Sequence, residues 1–152
     1  MIEISRIEPS QAQAVAALWD RMCREAVDGG PLTERGLANI DRMLQVASFH
    51  HETTCLVATE GEDIRGFVLA RVDPGDGLLP SLVGEVQELH VVPEARNGGL
   101  STELASAAVS WLREHGARTI RTLVCADNTD SRESWQRQGF EPDMVCLSLY
   151  PD

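Results

Sequence analysis

The run Arg96-Asn97-Gly98-Gly99-Leu100-Ser101 lies between two stretches of different period. Before it, Val86 to Val92 reads as an apolar strand. After it, Leu100, Leu104, Ala107, Ala108, Trp111 and Leu112 recur at helical spacing. Strand, short Gly-rich turn and helix together aim backbone N–H groups and a helix N-terminus at phosphate. The expectation from these residues is a cofactor that carries a pyrophosphate.

Working outward, the chain alternates short strands and amphipathic helices. Residues 2–7 read as a strand, with Ile2, Ile4 and Ile7. Pro9-Ser10 then opens a helix whose Val15, Leu18, Met22 and Ala26 share one face, and Gly29-Gly30-Pro31 breaks it. Thr33 and Glu34 start a second helix carrying Leu37, Ile40, Leu44 and Ala47. Thr53 to Glu60 and Ile64 to Val72 form a hairpin about the turn at Gly61. A loop at Pro74–Gly77 leads to a longer strand, Leu82 to Val92. Beyond the third helix, which His115-Gly116 ends, come a strand (Thr119–Ala126), a short helix (Asn128–Gln138) and a last strand (Phe140–Leu149). A meander that runs into a βαβ unit predicts a mixed α/β fold with helices on both faces of the sheet.

The bulk numbers narrow the function. At 152 residues the chain suits one domain, residues 1–152. A net charge of −11 argues against nucleic acid, whose phosphates need clustered cations; it reads first as a device for solubility and is compatible with cationic substrates such as amines. No apolar run is long enough for a membrane span, and no basic region followed by an apolar block marks a leader. Cys23, Cys55, Cys125 and Cys146 show no metal-ligand spacing and read as reduced core residues of a cytoplasmic protein. The pattern of a dinucleotide-binding domain, Gly-x-Gly-x-x-Gly after the first strand, is absent.

Two motifs carry a family resemblance. Val91-Val92-Pro93 leads into Arg96-x-x-Gly99-x-Ser101, and Asn128, Ser131, Trp135, Gly139 and Phe140 follow at fixed intervals. In this the chain resembles the GCN5-related N-acetyltransferase (GNAT) superfamily over nearly its whole length. The resemblance is strongest from Glu85 to Phe140. It implies a mostly antiparallel sheet with a splayed central strand. It also implies acetyl-CoA as co-substrate and direct acetyl transfer to a primary amine, on a small molecule or on a protein. A homodimer is compatible with it.

By resemblance, the amides of Asn97, Gly98, Gly99, Leu100 and Ser101 bind the CoA pyrophosphate, and Arg96 supplies charge or shapes the loop. Leu89, His90 and Val91 line the pantetheine arm, and Asn128 contacts it. Ser101 stands where the family has Gly or Ala and can cap the helix. Trp135 stands where the family often has a tyrosine that protonates the departing thiolate; an indole is no useful acid. That departure motivates a second reading, a non-catalytic acyl-CoA-binding module.

Amine attack needs a base, and two strand carboxylates compete for the role. Glu85 and Glu88 are three apart and face opposite sides of a regular strand unless a bulge intervenes. His90 is a candidate relay or a packed strand residue, and His50-His51 reads as a cap on the end of the second helix. Asp73, Asp76 and Glu85 read as an acidic rim or a solvated loop, and Trp19 and Trp111 as core.

Overall fold

The computed structural model describes residues 1–26, 29–75 and 82–152. Five strands, β1 (Ile2–Arg6), β2 (Thr53–Glu60), β3 (Asp63–Asp73), β4 (Leu82–Val91) and β5 (Ala117–Thr122), form one sheet in sequence order. The first four pair antiparallel, and β5 runs parallel to β4. The helices are α1 (Ala12–Glu25), α2 (Glu34–Ala47), α3 (Leu100–Glu114) and α4 (Thr129–Arg137).

Alternation along the strands decides which helix covers which face. On β3, Phe67 and Leu69 pack with Val15, Leu18, Met22 and Leu44 of α1 and α2. Val68, Ala70 and Val72 pack with Leu104, Ala108 and Leu112 of α3. Both sides of β3 are therefore apolar, as a strand between two helix layers must be. Leu104 and Leu112 are fully buried, and truncating such a leucine to alanine costs about 2–5 kcal/mol.

Two contacts fix the ends of α2. The Thr33 side chain accepts from Gly36 N at 3.0 Å and caps its start. At its other end the Arg6 guanidinium donates to the carbonyl oxygens of Ala47, His50 and Thr53. The helix terminus that sequence reading assigns to His50-His51 is thus held by Arg6. The two rings stack on each other beyond the helix, and His50 Nδ1 accepts from Glu52 N at 3.1 Å.

Residues 140–149 depart from expectation. They are not a strand in this chain; they leave the body after Phe140 and pair with no strand. β5 is shorter than expected, ending at Thr122, because the strand beside it turns away. Of the four cysteines only Cys55 is buried; Cys23 is half-buried, and Cys125 and Cys146 are exposed. Trp19 and Trp111 pack at the margins of the two cores. Asp76 and the rest of segment 76–81 lie outside the described residues. Among the described residues no helix is long and apolar enough to cross a membrane.

Candidate functional site

β4 parts from β5 after Val86. Their pairing runs from Leu82 with Ala117 to Val86 with Thr122 and stops. At the same point β4 carries a bulge against β3: Val86 pairs with Ala70 and Glu88 with Leu69, so Gln87 has no opposite residue. An extra residue bends a strand and raises its twist, which is how β4 leaves its neighbour.

The wedge so opened is a groove of about 290 Å³. One wall is Leu89, His90 and Val91 of β4, with Arg96 and Ser101 at the head of α3. The facing wall is Ser131, Ser134, Trp135 and Gln138 of α4. Six of the residues that the resemblance assigns to the cofactor therefore converge here. Ser134 and Gln138 escaped sequence reading; only the 3.6-residue period of α4, which places them beside Ser131 and Trp135, could have found them.

The turn before α3 is built for an anion. Gly99, at φ +82°, is the helix N-cap, a conformation that costs an L side chain but not glycine. Asn97 takes φ +68°, which asparagine tolerates better than most residues. The cap has no side-chain hydrogen bond, and the ladder begins with Glu103 N donating to Gly99 O at 3.1 Å. The amides of Leu100, Ser101 and Thr102 have no acceptor within the helix, and its positive dipole end adds to them. Ser101 does not cap the helix, as its sequence position suggests; Gly99 does, and Ser101 lies in the first turn on the groove wall.

Arg96 shapes the loop. Its Nε donates to Val91 O at 3.1 Å, and an Nη2 lies 3.8 Å from the Met22 sulfur. Asn128 is occupied differently from expectation: its Oδ1 accepts from Ser131 N at 3.2 Å and caps α4, and the residue is not on the groove wall. Gly98 and Leu100 border another depression of about 560 Å³ that also meets Glu60, Glu94 and Glu103. Its three carboxylates outnumber its one cation, Arg65, and repel phosphate, so the groove between β4 and α4 is the better candidate for a cofactor.

The bulge also settles where the two carboxylates point. Glu85 pairs with Arg71 and Glu88 with Leu69, and residues two apart on β3 share a face. Glu85 and Glu88 therefore lie on one face, that of α1 and α2, contrary to the opposed placement of a regular strand. Their partners differ. Glu85 lies 3.5 Å from the Arg71 guanidinium at the surface. Glu88 Oε2 lies 2.8 Å from His90 Nε2, and both side chains are about one-third exposed or less (36% and 26%).

Aromatic rings surround this pair. The His90 ring centroid is 5.2 Å from Phe67 and 6.3 Å from Trp19. Across from it, burial first, and then the charges of Glu88 and Asp20, push the Cys23 thiol up. The Asp20 carboxyl is held below its ordinary value by hydrogen bonds from Arg24 and from Leu32 N. The β4 face toward α1 is thus a carboxylate-bearing, ring-lined approach to the groove. Trp135 closes the groove from the far side, only 8% exposed and edge-on to Phe140 at 4.9 Å. Among the described residues no group of three metal-ligating side chains occurs.

Comparison with known proteins agrees with this geometry. The profile of the Acetyltransferase (GNAT) family matches residues 15–140. The mycothiol acetyltransferase of Arthrobacter sp. (strain FB24) is 36% identical over 77 residues, 51% of this chain and 24% of that protein. That of Corynebacterium glutamicum (strain R) is 28% identical over 137 residues, 87% of this chain and 43% of that protein. The chain thus spans less than half the length of these relatives.

Among solved structures, a transcriptional regulator from Bacillus halodurans C-125 superposes with a TM-score of 0.81 at 16% identity, covering 99% of each chain. The aminoglycoside N-acetyltransferase AAC(6')-Iy in complex with CoA superposes with a TM-score of 0.78 at 20% identity, covering 99% of this chain and 95% of the other. These likenesses show the fold. With the profile match spanning most of its length, the chain belongs to the GNAT acetyltransferase family.

Proposed function

We propose that this chain is an acetyl-CoA-dependent N-acetyltransferase whose acceptor is a small-molecule primary amine. One observation carries the reading: the groove between β4 and α4 meets the Glu88–His90 pair at His90, which belongs to both. The free amides at the head of α3 receive the pyrophosphate. The pantetheine arm lies along Leu89 to Val91, and a β4 amide polarises the thioester carbonyl.

The acceptor enters from the α1 and α2 side. An amine arrives as ammonium and must lose a proton before its lone pair can attack the thioester carbon. Glu88, held by His90, takes that proton directly or through one water. Glu85, neutralised by Arg71, does not. The leaving thiolate is a fairly stable anion, so it tolerates Trp135 in place of a phenol acid. The Ser131 and Ser134 hydroxyls lie on the same groove wall and can donate to it.

The carboxylates of Glu88 and Asp20 and the charge of −11 favour a cationic acceptor, which an amine is before it loses its proton. The names of relatives, a mycothiol acetyltransferase and an aminoglycoside N-acetyltransferase, point toward a small-molecule acceptor. The test combines binding and turnover. Acetyl-CoA at about 100 times its dissociation constant should add about 2.7 kcal/mol of stability, read as a rise in melting midpoint, and NAD should add none. A panel of amino sugars, aminoglycosides and N-terminal peptides is then followed by thiol release. Release with an amino sugar supports the reading. Tight CoA binding without turnover on any amine supports a binding module instead. Turnover on peptides alone overturns the small-molecule acceptor.

A further inference from the structure

Arg71 on β3, Glu85 on β4 and Arg121 on β5 are register partners, side by side across three strands. Ile120 packs into the α3 core, so Arg121 points to the opposite face of the sheet. Arg71 shares the face of Leu69, which packs beneath α1 and α2. The whole row therefore lies on the face from which the acceptor approaches Glu88. Arg71 stands two residues beyond Leu69, the partner of Glu88, which is about 7 Å along the strand.

That end of the face is open. The apolar core beneath α1 and α2 takes side chains from β2 and β3 and none from β4 or β5. The side chains of Arg71, Glu85 and Arg121 are 45%, 39% and 40% exposed.

The two guanidiniums of the row are loosely engaged. On α1, Arg21 and Arg24 hold carboxylates at 2.8 Å, the length of a charge-assisted hydrogen bond. Arg71 comes no closer than 3.5 Å to Glu85, and Arg121 no closer than 3.7 Å to Asp143. Among the described residues Arg121 donates no side-chain hydrogen bond, and its Nε is shut away from water without an acceptor. A guanidinium has five donors in a fork that fits a carboxylate or a phosphate. Asp143, itself 67% exposed, stands beside that fork and not in it. Asp73, the next carboxylate along this face of β3, is turned into its own loop, where its Oδ1 accepts from Gly75 N at 2.9 Å.

We propose that the acceptor carries an acidic group, a carboxylate or a phosphate, which Arg121 and Arg71 bind while the amine lies at Glu88. This rests on the acetyltransferase reading above and narrows it to an amine whose acidic group sits about 7 Å or a little more from its nitrogen. The positive end of such a molecule meets Glu88, and the negative end meets the row. The acid takes the place of Asp143 beside Arg121 and reaches the outer side of Arg71. Glu85, between the two guanidiniums, offsets their mutual repulsion before an acceptor arrives.

The test compares matched pairs, hexylamine with 6-aminohexanoate and glucosamine with glucosamine 6-phosphate. Thiol release from acetyl-CoA gives kcat/KM for each. Calorimetric titration of the CoA-loaded protein gives affinity whether or not turnover occurs. In at least one pair the acid-bearing member should bind about tenfold more tightly or better, and the pair that does so tells carboxylate from phosphate. Arg121→Gln should bring that ratio to within about twofold, and Arg121→Lys, which keeps the charge without the fork, should retain part of it. Arg118→Gln makes the same change of charge three residues earlier on β5 and should leave the ratio intact. Melting midpoints establish that each variant is folded. Equal affinity within both pairs overturns the proposal, and so does a preference that survives Arg121→Gln or falls equally in Arg118→Gln. Turnover of amines with no preference for the acid leaves the acetyltransferase reading standing and removes this one. Arg121-dependent binding of the acid without thiol release from any amine supports the anion site and overturns the acetyltransferase reading.

Discussion

Glu85 and Glu88 share a strand face but differ in what holds them. Arg71 lies beside the first, and His90 with its ring of aromatic neighbours beside the second. A base must be near the reacting amine and must not be committed to a fixed cation, which favours Glu88. Glu88→Gln keeps the shape and removes the charge. It is expected to lower kcat/KM by roughly 100-fold, within the range a positioned base contributes, while acetyl-CoA affinity stays within about twofold. Glu85→Gln is expected to cost less than about threefold. The measurement is steady-state thiol release across pH, with CoA affinity taken separately. Equal losses in both variants would return the two carboxylates to the same standing that the bare spacing gives them. His90 was legible as a candidate relay or a packed strand residue, but its setting was not, because Phe67 and Trp19 are far away in sequence and only the fold places them around it.

At the level of single elements, the strand–turn–helix at residues 86–112 was readable because each part carries a local signal: apolar run, glycines, helical period. The order of nine of the ten expected elements follows from such signals. What was not readable depends on partners. The bulge at Gln87 exists only in the register between β3 and β4, and no residue type in Glu85–Glu88 announces it. The segment after Phe140 alternates like a strand, yet it pairs with no strand of the sheet among the described residues, and alternation alone does not decide pairing. The cap of α3 was misread for a smaller reason: Ser101 is a good capping residue, but the two glycines before it start the helix earlier. Gly99 therefore offers a clean test of the turn. A Cβ there meets nothing within 4 Å, so only the φ of +82° resists substitution. Gly99→Ala should cost about 1 kcal/mol in urea unfolding and weaken CoA binding, because the loop amides shift with the cap. Gly99→Asn should recover much of both, as asparagine already holds φ +68° two residues earlier. Full CoA affinity in the alanine variant would show that the amides are not aimed by this cap.

Taken whole, the molecule has an uncommon basic composition: all 13 of its Lys and Arg positions are arginine. A chain without lysine offers an acetyltransferase no side-chain amine of its own to modify. It also leaves few groups to titrate between pH 9 and 12, since arginine stays charged throughout. The buried Cys55 thiol then dominates the alkaline limb of stability. Burial pushes the Cys55 thiol up from 9.0 to about 12, and Cys23 moves in the same direction. The folded state thus keeps a proton that the unfolded state gives up near pH 9. Above that value the unfolded chain binds fewer protons than the native one, so stability falls as pH rises. The contribution of Cys55 is intact below about pH 9 and declines toward pH 12, at up to about 1.4 kcal/mol per pH unit. Urea midpoints at pH 8, 9, 10 and 11 should therefore drop progressively in the parent chain. Cys55→Ala should be less stable at pH 8, for the lost packing against Leu69 and its neighbours, and should fall less steeply. The two curves converge as pH rises. Parallel curves would mean that the Cys55 thiol ionises as readily in the folded chain as in the unfolded one, and that its core admits water.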